Sequence, residues 1–202
     1  MPVRILHLIV MLVLAFPLAS LGAAATAQDI KLAGVAVPGH ATLGGRRLPL
    51  NGAGLRTLLG FRVYVAALYL PSSTREAELI LERDTPRRLQ ITLLRDTSTG
   101  QNLAALRDGL IENNTPAQME AAKTEIAAFF GLIQQVDEVP AGTVIQLDYL
   151  PGAGTRVKIA GRNLGVIPGE DFNRAILRIW LGNAPIQLSL KNALLGIGGA
   201  ES

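Results

Sequence analysis

Phe61-Arg62-Val63-Tyr64-Val65-Ala66-Ala67-Leu68-Tyr69-Leu70, closed by Pro71, is the stretch from which the fold can be read. Aromatic and β-branched residues fill it, which suits an extended backbone, and proline stops it because it has no N–H to give a ladder. Side chains alternate along a strand, so Phe61, Val63, Val65, Ala67 and Tyr69 point one way while Arg62, Tyr64, Ala66, Leu68 and Leu70 point the other. Both sets are largely apolar. A strand that is apolar on both faces belongs in the middle of a sheet covered on each side.

Before it, Ile30 to Val37 reads as a short first strand ended by Pro38-Gly39, and Ala41 to Leu50 as a second, with Pro49 marking an edge or a terminus. Asn51-Gly52-Ala53-Gly54 supplies residues tolerant of positive φ, which predicts a sharp turn just ahead of Leu55-Arg56. After it, Thr74 to Glu82 predicts a short helix capped by Thr74. Leu89, Ile91 and Leu93 alternate as a strand.

Ser98 starts a helix whose Leu103, Leu106 and Leu110 share a stripe. Pro116 opens another with Met119, Ala122, Ile126, Phe129, Phe130 and Ile133 on one face. Thr143 to Leu150 and Thr155 to Ala160 form a hairpin across Pro151-Gly152-Ala153-Gly154, and Gly161 to Ile167 adds a strand. A helix carrying Phe172, Ile176, Ile179 and Trp180 follows Pro168-Gly169, and Leu188 to Leu195 makes a last one. Strands, helices, strands and helices in that order predict an α+β fold with an antiparallel sheet under packed helices, not a βαβ repeat.

The 202 residues leave no room for two large domains, and 49% apolar against 17% charged residues can fill a core. Met1 to Ala27 has Arg4, an apolar run from Ile5 to Leu18 and the small-x-small triplet Ala25-Thr26-Ala27. That order is a signal peptide cut before Gln28, leaving 28–202 as one domain, with the periplasm as destination and no membrane span after removal. Zero cysteines exclude a disulfide scaffold, thiol catalysis and cysteine zinc sites, and the two histidines, His7 and His40, exclude a multi-histidine metal site. A net charge of +3, with scattered basic residues, gives no nucleic-acid stripe. Glycines 34 to 54 run into strand-like sequence without a lysine-serine or lysine-threonine pair, so no nucleotide loop is expected. No G-x-S-x-G elbow accompanies His40.

What remains is a pocket on the central strand. Arg56, Arg62 and Tyr64 can place guanidinium and phenol donors around a carboxylate or an oxyanion, and a guanidinium holds negative charge without acting as a base. The alternative is that Arg56 satisfies loop carbonyls and Tyr64 is core with its hydroxyl paired; Tyr69 has the same two readings. Trp180 and Phe172 line a pocket or simply fill the core. Asp96, Thr97 and Ser98 cap a helix, Asn102 and Asn113 are weaker polar candidates, and Lys191 sits at a helix end.

The strings Leu50 to Arg56 and Phe61 to Pro71 resemble the N-terminal signature of the chalcone isomerase-like family. Ile167-Pro168-Gly169-Glu170-Asp171-Phe172 through Pro185, with Leu190 to Gly196, resembles the closing segment of its bacterial secreted branch. The resemblance implies an open-faced β-sandwich, a large antiparallel sheet covered by helices with a ligand cleft between, and no cofactor. It implies for Arg56 the role of the arginine that neutralises oxyanion charge in the plant enzymes. Tyr64 stands where those enzymes have a threonine, and the pair Arg56 and Tyr64 is closer to the arginine and tyrosine that hold a fatty-acid carboxylate in non-enzymatic relatives. Two functions follow: binding of a small apolar or amphipathic acid by Arg56, Tyr64 and Arg62, or a cofactor-independent isomerase or lyase with Arg56 and Tyr64 as catalytic groups. An envelope protein that is structural or binds a partner is a third.

Overall fold

Alternating apolar side chains on both sides of Phe61–Tyr69 need two covers, and a computed structural model, which describes residues 28–136 and 138–198, supplies both. The strands are β1 (Ile30–Leu32), β2 (Val35–Val37), β3 (His40–Leu43), β4 (Arg46–Leu58), β5 (Phe61–Tyr69), β6 (Arg87–Leu93), β7 (Thr97–Ser98), β8 (Glu138–Val139), β9 (Val144–Leu150), β10 (Gly154–Ile159) and β11 (Arg162–Ile167). The helices are α1 (Ala77–Glu82), α2 (Thr99–Asn113), α3 (Pro116–Ala121), α4 (Lys123–Ile133), α5 (Glu170–Leu181) and α6 (Leu188–Leu194). Seven strands form one antiparallel sheet in the order β11-β10-β9-β6-β5-β4-β3, with β5 inside it. This is the α+β architecture the sequence implied, a large antiparallel sheet overlain by helices.

The faces of β5 divide as the alternation requires. Ala66 and Leu68 join the main core with Phe129, Phe172, Ile176 and Ile179 of the helices. Val65, Ala67 and Tyr69 join a second core closed by Leu32 and Val37 of the β1–β2 hairpin and by Leu43 and Leu48. Burying apolar surface on both sides, at roughly 25 cal/mol per Å² removed from water, makes β5 the keel of the fold.

Several local expectations are corrected. Ile30 to Val37 is a hairpin, because Ala33 and Gly34 take positive φ and reverse the chain between β1 and β2. Ala41 to Leu50 is likewise split by Gly44-Gly45 into β3 and the start of β4. Pro49 lies inside β4, where the partner changes: Arg46 to Pro49 pair with β3, and pairing with β5 begins at Leu50.

Asn51-Gly52-Ala53-Gly54 is no turn but the middle of β4, with a register irregularity between Leu50 and Gly52. Its glycines serve close approach instead. A Cβ on Gly52 would sit 2.1 Å from the Ala193 carbonyl oxygen, and one on Gly54 would sit 2.6 Å from the Ala193 Cβ, so α6 lies directly on the strand backbone. Asn51 fixes that contact, donating to the carbonyls of Leu194 (2.8 Å) and Thr74 (3.0 Å) and accepting from Thr74 N–H (2.8 Å).

Among the helices, α1 starts at Ala77, later than Thr74, whose hydroxyl accepts from Glu76 N–H. The Pro116 helix is two, broken at Ala122, where ψ is 13°. Ser98 caps α2 through a reciprocal box with Gln101, as the sequence predicts. Gly109 lets α5 lie close on α2, since a Cβ there would be 2.8 Å from Ile179. Asn113 and Asn114 lock the pair: Asn113 donates to Ala184 O (2.8 Å) and accepts from Ala184 N (3.0 Å), and Asn114 accepts from Arg178 (3.0 Å). The expected signal peptide, Met1 to Ala27, lies outside the described residues.

Candidate functional site

Between the main sheet and α2, α4 and α5 lies a cavity of about 110 Å³. Tyr64 of β5, Leu93 of β6, Leu106 of α2, Phe129 of α4 and Ile179 and Trp180 of α5 supply its walls. The strand alternation that sends Ala66 and Leu68 toward the helices sends Tyr64 there as well, and the 3.6-residue period of α5 brings Trp180 to meet it. Among the described residues three polar side chains line the cavity: Tyr64, Trp180 and Asn102. Asn102 donates to Thr97 Oγ1 (3.0 Å), which leaves its carbonyl oxygen for other partners.

The Trp180 indole N–H donates to the Tyr64 hydroxyl at 2.9 Å. As acceptor, the hydroxyl keeps its own proton to offer. Burial pushes the Tyr64 phenol up to about 12, against smaller lowering effects from the Trp180 hydrogen bond and the nearby Arg56 charge. At neutral pH it is therefore a neutral donor set in an apolar wall, where an unmatched polar group is costly and a matched one is well held.

Arg56 and Tyr64 face each other as register partners across β4 and β5, so both side chains emerge on the helix side of the sheet. Arg56 stands beside the cavity, outside its lining. Its Nη1 donates to Thr57 O (2.7 Å) and to Gln187 Oε1 (3.1 Å), and among the described residues no carboxylate pairs with it. The cation thus adds a positive field at the Tyr64 end of the cavity while its remaining N–H groups stay available. Arg62 is exposed nearer the β4–β5 hairpin tip, opposite Thr57, and does not line the cavity.

Gln187 is the residue sequence reasoning missed. Its Oε1 accepts from Thr57 N–H (2.9 Å) as well as Arg56, and its Nε2 donates to Leu55 O (3.1 Å) and Ser189 Oγ (2.7 Å). It lies 131 positions from Arg56, and a lone glutamine between helices carries no signal.

The other candidates fall elsewhere. Phe172 is wholly buried against Phe129, their ring centroids 5.3 Å apart, and does not line the cavity. Tyr69 belongs to the core on the opposite face. Asp96 accepts from Ala141 N–H (2.8 Å), Lys191 donates to Gly182 O (2.8 Å), and His40 is exposed beside Arg47. No cluster of three potential metal ligands occurs among the described residues.

A second buried polar cluster lies under α5. Arg87 donates through Nε to Asn173 Oδ1 (2.6 Å) and through Nη1 to the Ile80 carbonyl, with its guanidinium 4.9 Å from the Tyr149 ring centre. Burial lowers the Arg87 pKa to about 10. Tyr149 donates to Asp84, and Asn173 donates to Thr155 (3.0 Å). These groups tie α1 and α5 to the sheet.

Residues 28–196 match the chalcone isomerase-like family model. The chain belongs to that family. Its fold resembles the crystal structure of a fatty-acid binding protein of Arabidopsis thaliana, with a TM-score of 0.66 and 16% sequence identity over 83% of this chain and 95% of that one. At that identity the likeness is one of fold. Comparison with curated proteins gives no match. In this chalcone isomerase-like domain the cavity lies between the sheet and the helices.

Proposed function

We propose that this protein binds a small apolar acid, fatty-acid-like in character, without transforming it. The observation that carries the reading is a free phenol proton in a cavity whose lining is apolar apart from Tyr64, Trp180 and Asn102, held by Trp180 and biased by the Arg56 charge. An ionised carboxylate accepts from such donors more strongly than a neutral oxygen does, so the pair selects an acid head, while Leu93, Leu106, Phe129 and Ile179 receive the apolar part. The ligand class in the name of the Arabidopsis protein agrees with this chemistry. General acid–base catalysis is disfavoured by the cavity wall, whose phenol is raised to about 12 and whose other polar groups, an indole and an amide, do not titrate near neutral pH.

We place this binding in the periplasm, after cleavage of Met1 to Ala27, as in the secreted branch of the family. The leader composition supports that reading.

Native mass spectrometry of protein expressed in a lipid-containing host tests the proposal. Wild type retains an apolar acid that Arg56→Ala and Tyr64→Phe lose. An empty wild type that also takes up no added acid, or equal retention by all three, overturns it.

A further inference from the structure

Among the described residues the chain reverses through four two-residue loops in which both residues have positive φ: Ala33-Gly34, Gly44-Gly45, Leu59-Gly60 and Ala160-Gly161. Such turns favour glycine, asparagine or aspartate, and three of the four use only alanine and glycine. The fourth, at the β4–β5 tip, puts leucine in the left-handed region, where a bulky side chain is strained. Leu59 is also 89% exposed, with Leu58 at 53% and Phe61 at 62% beside it. Neither turn geometry nor burial accounts for a leucine there.

The surroundings are cationic. Arg62 is exposed on the same tip, Arg95 lies 5.1 Å from the centre of the Phe61 ring, and Arg56 follows down the strand. Among the described residues none of the three forms an ion pair. Asp96, next in sequence to Arg95, accepts from Ala141 N–H, and Glu138 lies on β8 opposite Ser98. Leu188, 64% exposed, opens α6 directly after Gln187, which is bonded to Leu55 and Thr57, and so stands beside the tip.

We propose that this tip docks on an anionic lipid bilayer, with Leu58, Leu59 and Phe61 entering the headgroup boundary and Arg62 and Arg95 meeting phosphates. Exposed apolar side chains ringed by unpaired arginines are what an interfacial anchor requires. Three exposed apolar side chains on the hairpin, with Leu188 of α6 beside them, offer well under the roughly 800 Å² per partner of a stable protein interface, whereas a fluid bilayer closes around a small tip. Tyr64 lies three residues along β5 from Phe61, so docking sets the Tyr64 end of the cavity toward the membrane. The docking stands whether or not the cavity holds an acid.

The chain has no cysteine, so Leu58→Cys carries one environment-sensitive fluorophore, and Ala153→Cys carries it at the opposite end of the sheet. Both labelled full chains are mixed with vesicles of phosphatidylcholine alone or with about 30% phosphatidylglycerol. The proposal expects a blue shift at position 58 only, with anionic vesicles, weakening several-fold between about 0.05 and 0.5 M salt. Adding Leu59→Asn and Phe61→Ser weakens partitioning at least about tenfold, the circular dichroism and melting temperature of the variant confirming an intact fold. No shift at 58, equal shifts at 58 and 153, an undiminished shift in the double variant, or a shift that needs only higher protein concentration and no lipid overturns it. The last result identifies self-association instead.

Discussion

Trp180 on α5 and Tyr64 on β5 are joined by one hydrogen bond of 2.9 Å in a largely apolar wall, and the direction of that bond leaves the phenol proton unspent. The functional reading follows from this direction. A phenol that donated to the protein would have nothing left for a carboxylate.

Tyr64→Phe removes the donor and strands the indole N–H. An acid ligand should lose roughly 1.5–3 kcal/mol of affinity, the value of a hydrogen bond to a charged group, and the empty protein about 1–3 kcal/mol of stability from the unpaired indole. Isothermal titration and urea unfolding measure the two separately. An unchanged affinity with reduced stability would make the pair purely structural.

The closeness of α6 to β4 makes a second prediction. Gly54→Ala drives a Cβ into Ala193 and Leu190, and Gly52→Ala into a backbone carbonyl, costing about 1–3 kcal/mol or more through overpacking. Gly100→Ala and Gly131→Ala meet nothing within 4 Å on exposed helical positions and should stabilise by roughly 0.5–1 kcal/mol. Equal effects at all four sites, measured by chemical denaturation, would refute the close-approach account.

These glycines also show what the sequence conceals. The period of β5 carried its central place, both its faces and the sidedness of Tyr64, because alternation is local. Asn51 to Gly54 reads as a turn because glycine permits one. The other use of glycine, to admit Ala193 some 140 residues later, has no local trace. Arg56, read as following a glycine turn, and Tyr64 on the next strand were legible as donors to one pocket, but not their pairing across β4 and β5. The tethering of Arg56 by Gln187, and the absence of Arg62 from the cavity, depend on how α6 docks and on where the hairpin ends.

Alkaline titration gives a third prediction. Burial raises all three tyrosines of the chain, Tyr64 and Tyr69 to about 12, and Tyr149 is raised as well, helped by its bond to Asp84. A phenol raised on folding contributes stability that is complete below its unfolded value of 10 and is lost as pH climbs toward the folded value. Absorbance at the phenolate band should stay flat through pH 10 and rise only between about 11 and 12, together with loss of near-ultraviolet dichroism. A full tyrosine step near pH 10 in folded protein would contradict the burial of Tyr64.

Cavity size makes a fourth. A space of about 110 Å³ is smaller than pockets for drug-sized ligands, typically roughly 300 Å³ or more, so long acyl chains require α2 and α4 to separate. Affinity should rise by less than about 0.8 kcal/mol per added methylene once the cavity is full. Leu106→Ala, which enlarges it from the α2 side, should favour longer acids while costing about 1 kcal/mol of stability, because Leu106 is only partly buried. Calorimetry across a homologous series of acids reads both effects; a constant full increment in wild type would show that the space is already open.

Trp180 is the only tryptophan in the chain and forms the cavity wall, so its fluorescence reports occupancy directly. Titration with a brominated medium-chain acid should quench it saturably. The matched brominated alcohol should bind roughly tenfold or more weakly, and Tyr64→Phe should weaken the acid by a similar factor. Emission that ignores the acid up to its solubility limit, or quenches equally with acid and alcohol in both proteins, would contradict acid binding at Tyr64.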